Sequence, residues 1–185
     1  MRSWNSRRGV AAVVFGAALL AVAGSALGAG GRGPASRAKV LVKGGPSFKP
    51  NAYIKDAVHF DAGTVVIRSG GTVTLTNKST DPHTLSIVTH SQLPRTVKQI
   101  ENCSVCSAIA KSHGVNPEGP GPEGPPPVPL VNIGAVGFDK PGDSIFVGPK
   151  GHGGQVTFKV TARPGTTLNF MCAIHPWMQG RFLVK

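Results

Sequence analysis

Phe170-Met171-Cys172-Ala173-Ile174-His175-Pro176-Trp177-Met178-Gln179-Gly180 is the stretch on which the reading of this chain turns. It places a thiol, an imidazole and a thioether at Cys-x2-His-x2-Met spacing between two strand-like runs, Thr167–Cys172 and Gly180–Lys185. A loop this short can wrap three side chains around one ion. Soft thiolate and thioether donors with an imidazole select copper, whereas magnesium and calcium take oxygen ligands. A trigonal site of two histidines and one cysteine needs a second histidine from elsewhere in the fold. His83 is the natural candidate, in Asn77-Lys78-Ser79-Thr80-Asp81-Pro82-His83-Thr84, where a loop after a strand can bring it over the C-terminal one. His59, His90, His113 and His152 lack comparable spacing and are read as non-ligands.

Outward from this loop the chain reads as strands. Lys39–Lys43, Ala52–Phe60, Thr64–Arg68, Thr72–Asn77, Leu85–Thr89, Ser144–Val147 and Gln155–Thr161 are short, rich in Val, Thr and Ile, and punctuated by Gly, Pro, Asn or Asp. Val73 and Leu75 alternate with threonines, and Val156, Phe158 and Val160 alternate with polar residues, which marks one buried face on each. Strands at turn-punctuated spacing without helical periodicity predict an all-β antiparallel sandwich. Composition agrees: 25 Gly, 16 Pro and only 15% charged residues exclude a coiled coil or a charge-rich disordered chain.

The two matched segments, about residues 38–90 and 143–185, resemble the cupredoxins, the small type 1 (blue) copper proteins of the plastocyanin and amicyanin kind. The compact Cys172-x2-His175-x2-Met178 spacing, with Pro176 after the histidine, is more similar to amicyanin than to plastocyanin. The resemblance implies an eight-stranded Greek-key β-sandwich and one type 1 copper ion. His83, Cys172 and His175 would be its equatorial ligands and Met178 its weak axial ligand. It also implies that His175 reaches the surface through an apolar patch, with Pro176 and Trp177 as members, and passes electrons there. Each residue has a plainer alternative: Cys172 as an inert buried thiol, His175 as a turn residue, His83 as a satisfied loop histidine, Met178 as core packing, and Pro176 and Trp177 as loop packing.

Neighbouring positions exclude two relatives of that site. A binuclear copper centre would need a cysteine where Leu168 stands, and a multicopper oxidase would want histidines where Met171 and Ala173 stand. No Ser/His/Asp or paired-carboxylate arrangement is evident among eight acidic residues. The sequence therefore offers a one-electron carrier rather than an enzyme, working with a redox protein such as a cytochrome, an oxidase or a dehydrogenase. A copper chaperone or store is the alternative from a different class.

Residues 91–142 have no counterpart in the minimal fold and read as an insertion. Thr96–Lys111 suits a short helix carrying Cys103 and Cys106, and Asn116–Pro129 is too rich in proline and glycine for helix or central strand. The proline segment is a spacer or an extended strip for a partner. The Cys-x2-Cys pair reads as a local disulfide, a redox-active dithiol, or a second metal site with His113. A disulfide there would leave Cys172 as the odd thiol.

At the other end, Met1–Arg8 is basic, Gly9–Gly28 is apolar and small, and Ala26-Leu27-Gly28 suits signal peptidase. Residues 1–28 thus read as a secretory signal and 29–38 as a flexible tether to a domain over 39–185. Ser6-Arg7-Arg8 hints at the twin-arginine route as against plain Sec export, and an uncleaved anchor is the competing reading. The expected location is periplasmic or extracytoplasmic. The formal charge of +12 falls to +9 once Arg2, Arg7 and Arg8 are removed with no acid. Such a surface suits an acidic partner or an anionic membrane face; no basic-aromatic cluster points to nucleic acid.

Overall fold

The computed structural model describes residues 33–115 and 127–185. The segment read as an export signal, and residues 116–126 of the proline-rich stretch, lie outside the described residues. Two sheets face each other across one core. The first contains β1 (Arg37–Lys43), β4 (His59–Phe60), β6 (Gly71–Asn77) and β10 (Gln155–Val160), in the order β10-β6-β1-β4. The second contains β5 (Thr64–Ile67), β7 (His83–Val88), β8 (Leu130–Val131), β9 (Ser144–Val147), β11 (Thr167–Met171) and β12 (Gln179–Val184), in the order β5-β12-β11-β7-β9-β8. The expected sandwich is present, with a refinement that alternation alone does not carry. β1 pairs with β6, and β12 with β5, in parallel; the other pairings within these sheets are antiparallel.

The period-2 patterns supply the core. Val40 and Val42 of β1, Val73 and Leu75 of β6, and Phe158 and Val160 of β10 point inward from one sheet. Val65 and Ile67, Leu168 and Phe170, and Phe182 and Val184 answer from the other. Phe170 lies at the centre, edge-on to Phe60 at 5.3 Å between ring centroids and 4.7 Å from Phe182, spacings favoured by aromatic quadrupoles.

Strand β7 departs from this alternation, because all six of its residues are buried. The insertion explains this. After a 3-10 turn at His90–Gln92, the chain forms α1 (Val97–Glu101) and α2 (Ser104–Ser112). The single expected helix is thus two, parted at Asn102 and Cys103. Val88 joins Met171, Ala173, Cys106 and Ile109 in a second apolar cluster beyond the main core. A strand covered on both faces has no solvent-facing side, so the alternating Thr84 and Ser86 are buried and find their partners inside the protein. The insertion also adds β8 to the sheet edge beside β9.

The expected long second strand at Ala52–Phe60 is also divided. β2 (Pro46–Lys49) and β3 (Tyr53–Asp56) pair as a separate hairpin with Phe48 opposite Ile54, and both of these side chains are exposed. Asn51 takes a positive φ of 57° in the turn, a conformation that asparagine tolerates better than most residues. No helix among the described residues is long and apolar enough to cross a membrane.

Gly180 faces Phe170 across the β11–β12 ladder, and a Cβ there would overlap the Phe170 ring edge. Gly180→Ala is therefore expected to force the central ring out of place and lower stability by about 1–3 kcal/mol. Urea unfolding should report it as a lower midpoint at unchanged slope.

Candidate metal centre

The site is built where β7 begins and β11 ends. These strands are antiparallel neighbours, with Met171 opposite Ser86, so the residue after β11 and the first residues of β7 meet at the same end of the sandwich. Cys172 Sγ lies 3.7 Å from His83 Nδ1 and 4.0 Å from His175 Nδ1, and the two Nδ1 atoms are 3.0 Å apart. His83 and Cys172 are fully buried, while the His175 side chain keeps 13% exposure. Met178 is buried in the same core cluster as Cys172. Its amide donates to the His175 carbonyl (2.9 Å), and its carbonyl accepts from the Cys172 amide (3.0 Å), closing the loop on itself.

A polar loop holds the His83 ring in place. Asn77 donates through Nδ2 to the carbonyls of Asp81 (2.6 Å) and Gly148 (2.9 Å), and its Oδ1 accepts from the amide and the hydroxyl of Ser79, each at 2.8 Å. Ser79 Oγ lies 2.8 Å from His83 Nε2 and also reaches Asn77 Oδ1 and the Asp81 carbonyl. In the tautomer with Nε2 protonated, the ring donates to Ser79 Oγ and presents the lone pair of Nδ1 toward Cys172 and His175. His175 is oriented alike, with Nε2 toward the Asp56 carboxylate at 3.8 Å and Nδ1 inward.

The sulfur has its own supports. The amides of Thr84 and His175 donate to Cys172 Sγ at 3.3 and 3.4 Å. The Thr84 hydroxyl accepts from the Ala173 amide at 2.8 Å, tying β7 to the loop just past the cysteine. Burial pushes the Cys172 thiol up, opposed by the amides of Thr84, His175 and Ile174 and by the Thr84 hydroxyl. Burial pushes His83 down to about 4, aided by the nearby His175 and opposed by Asp56. His175 is also lowered by burial, opposed by Asp56 and Asp81. Neutral imidazoles and a sulfur receiving two amide hydrogens form a donor set suited to a cation, which would favour the thiolate that burial alone disfavours.

The structure thus brings His83, Cys172 and His175 together, with all three candidate ligand atoms within 4.8 Å of one another. The supporting residues were less visible in the sequence. Ser79 and Thr84 stand in the loop quoted for His83, but nothing in their spacing marks them as partners of a ring or a sulfur. Asp56 arrives only because the β2–β3 hairpin folds back, and it carries no local signal. Trp177, half-exposed beside His175, donates through its indole to the Val58 carbonyl at 3.2 Å. His59, His90 and His152 are exposed. His113 is buried elsewhere, with Nδ1 on the Val128 carbonyl and Nε2 on Ser144 Oγ. Cys103 and Cys106 form a disulfide, which leaves Cys172 as the free cysteine. His113 bonds elsewhere and the two thiols are paired, so the alternative of a second metal site there has no ligand set.

The His83 shift has a consequence for the metal-free protein. A folded-state pKa below the unfolded 6.5 means that the unfolded chain binds more protons between the two values, so stability rises with pH across that window. Its contribution is complete above pH 6.5 and lost as pH falls toward about 4, on the order of 3 kcal/mol in all. Denaturant midpoints between pH 7 and pH 4 should fall accordingly, and His83→Gln should flatten that dependence.

No family model and no curated protein matches the chain. Solved structures do align. Auracyanin from Roseiflexus castenholzii is 20% identical over 83% of this chain and 99% of its own, at a TM-score of 0.41. A purple cupredoxin from Nitrosopumilus maritimus is 14% identical over 80% and 99%, at 0.40. Amicyanin from Paracoccus versutus is 15% identical over 82% and 84%, at 0.37. By its own strand order the chain is a two-sheet β-sandwich, and its histidine–cysteine–histidine group is compatible with a single copper ion.

Proposed function

We propose that the chain is an exported type 1 copper protein that carries single electrons between redox partners. The observation that carries this reading is the convergence of His83 Nδ1, His175 Nδ1 and Cys172 Sγ, with the two nitrogens 3.0 Å apart beside the buried sulfur. In the tautomers with Nε2 protonated, both nitrogens offer lone pairs that one cation can share. In this reading His83, Cys172 and His175 would hold the ion, with Met178 as the fourth candidate ligand. When bound, copper supplies a one-electron couple whose two states a fixed cage of this type accommodates.

The chain's own residues do the rest. Ser79 holds the His83 ring in its orientation, and the Asp56 carboxylate lies 3.8 Å from His175 Nε2. The Thr84 and His175 amides withdraw charge from the sulfur, a lever on redox potential. The sandwich excludes water from His83 and Cys172. His175 is the edge of this set that a partner can approach, with the exposed Ile174 and Trp177 on either side in sequence. The expected partner is a cytochrome, an oxidase or a dehydrogenase, and the basic charge favours one with an acidic face or an encounter at an anionic membrane. Residues 1–28 act as the export signal in this reading, which places the protein outside the cytoplasm.

A copper chaperone is the second reading, and it gains from freely available thiols. The Cys103–Cys106 disulfide withdraws two of the three cysteines from that role.

Addition of Cu(II) to residues 29–185 is expected to give an intense thiolate-to-copper charge-transfer band and a narrow copper hyperfine splitting in the EPR spectrum. Cys172→Ser should abolish both, and Met178→Leu should keep the band while shifting the reduction potential. Copper retained without that band would remove the electron-carrier reading and leave the chaperone.

A further inference from the structure

The insertion carries a feature that electron transfer through Cys172 does not use. Cys103 is the N-cap of α2, and its Sγ accepts from the Cys106 amide at 3.3 Å. The two sulfurs of the disulfide are unequal. Cys106 is buried in the apolar cluster with Val88 and Met171, whereas Cys103 is half-buried. Cys103 lines an open cleft of about 570 Å3 together with Leu93, Pro94, Lys98, Gln99 and Asn102. That size is within the range of small-ligand sites. Among the described residues Lys98 is the one charged side chain lining it; Glu101 of α1 is exposed and is not among the lining residues.

We infer that this cleft is a thiol–disulfide exchange site, separate from the metal centre, which accepts an anionic thiol and oxidises it at Cys103. The asymmetry assigns the roles. Exchange requires in-line access to one sulfur and a leaving group on the other. Only Cys103 borders the cleft, so it is the sulfur attacked, and buried Cys106 is the one released. In the first step a substrate thiol bonds to Cys103 Sγ as the Cys103–Cys106 bond breaks, and its proton passes to Cys106. In the second, another substrate thiol attacks the substrate sulfur of the mixed disulfide. The substrate leaves as a disulfide, and its second proton ends on Cys103. Two thiols have lost two electrons and the pair has gained them.

After release, Cys103 sits at the start of a nine-residue helix with the Cys106 amide directed at it and Lys98 across the cleft. Both features stabilise a thiolate, the form in which such a sulfur leaves. The shared substrate chemistry is a thiolate with further negative charge, drawn either from a low-molecular-weight thiol or from a cysteine in an acidic protein segment.

The test uses the full chain, with reduced glutathione in one arm and an acidic cysteine-containing peptide in the other. Disulfide opening is followed by alkylation and mass spectrometry in the native protein and in denaturant. The native rate is expected to exceed the denatured one by about tenfold or more, and the faster arm identifies the source of the thiol. In Cys106→Ser, Cys103 should form a mixed disulfide with oxidised glutathione, while Cys106 in Cys103→Ser should react at least about tenfold more slowly. Lys98→Glu should slow the anionic thiols several-fold. A native rate equal to or below the denatured one, or equal labelling of the two cysteines, overturns the assignment. The wild-type rate comparison holds even where a cysteine variant fails to fold.

Discussion

Two imidazole nitrogens 3.0 Å apart and one buried sulfur converge at one end of the sandwich. That convergence depends on the His83 ring being held from behind. Asn77 donates to two carbonyls and accepts from the Ser79 amide and hydroxyl, and Ser79 Oγ meets His83 Nε2 at 2.8 Å. Without Ser79 the buried Nε2 would lack that partner, and buried polar groups of this kind cost about 1–3 kcal/mol when unpaired. The orientation of the His83 ring is thus set in the turn that precedes it.

The sandwich supplies what the turn cannot. β7 and β11 set the distance between His83 and Cys172, and their pairing is made rigid by cover on both faces. On the inner side stand Phe170 and its aromatic neighbours; on the outer side stand Met171, Ala173 and the disulfide-bonded start of α2. The insertion is therefore part of the wall behind the metal-binding loop. Interiors packed to crystal density transmit small displacements, so the residues flanking Cys172 feel the helix directly. A polar thread runs through the same region: Ser86 donates to Thr84 Oγ1 and meets Ser144, which meets His113 at the end of α2.

Sequence patterns carried the strands and the converging donors because both depend on short-range rules. Alternation at Val73 and Leu75, or at Phe158 and Val160, reports directly on a buried face. Cys172, His175 and Met178 lie within one loop, where spacing constrains geometry. The parallel pairing of β1 with β6 leaves no such mark, since strand direction is set by the path of distant segments. The β2–β3 hairpin was hidden for another reason: its apolar Phe48 and Ile54 face solvent, so composition mimics a core strand. Asp56 and Ser79 were illegible as ring partners because their roles exist only after tertiary folding. His113 could be set aside as a ligand on spacing, yet its burial against Ser144 has no signature in the chain.

Eighty-nine residues separate His83 from Cys172 along the polypeptide. An ion bridging them would close a loop that contains β7 to β11, five of the twelve described strands. Opening of the Cys172–Met178 loop would take three of the four candidate ligands away together, leaving only His83 in β7. Binding to the folded state alone adds to stability by mass action. Loss of an ion through that loop would leave the β7–β11 pairing in place, so the added stability would vanish before the sandwich itself melts.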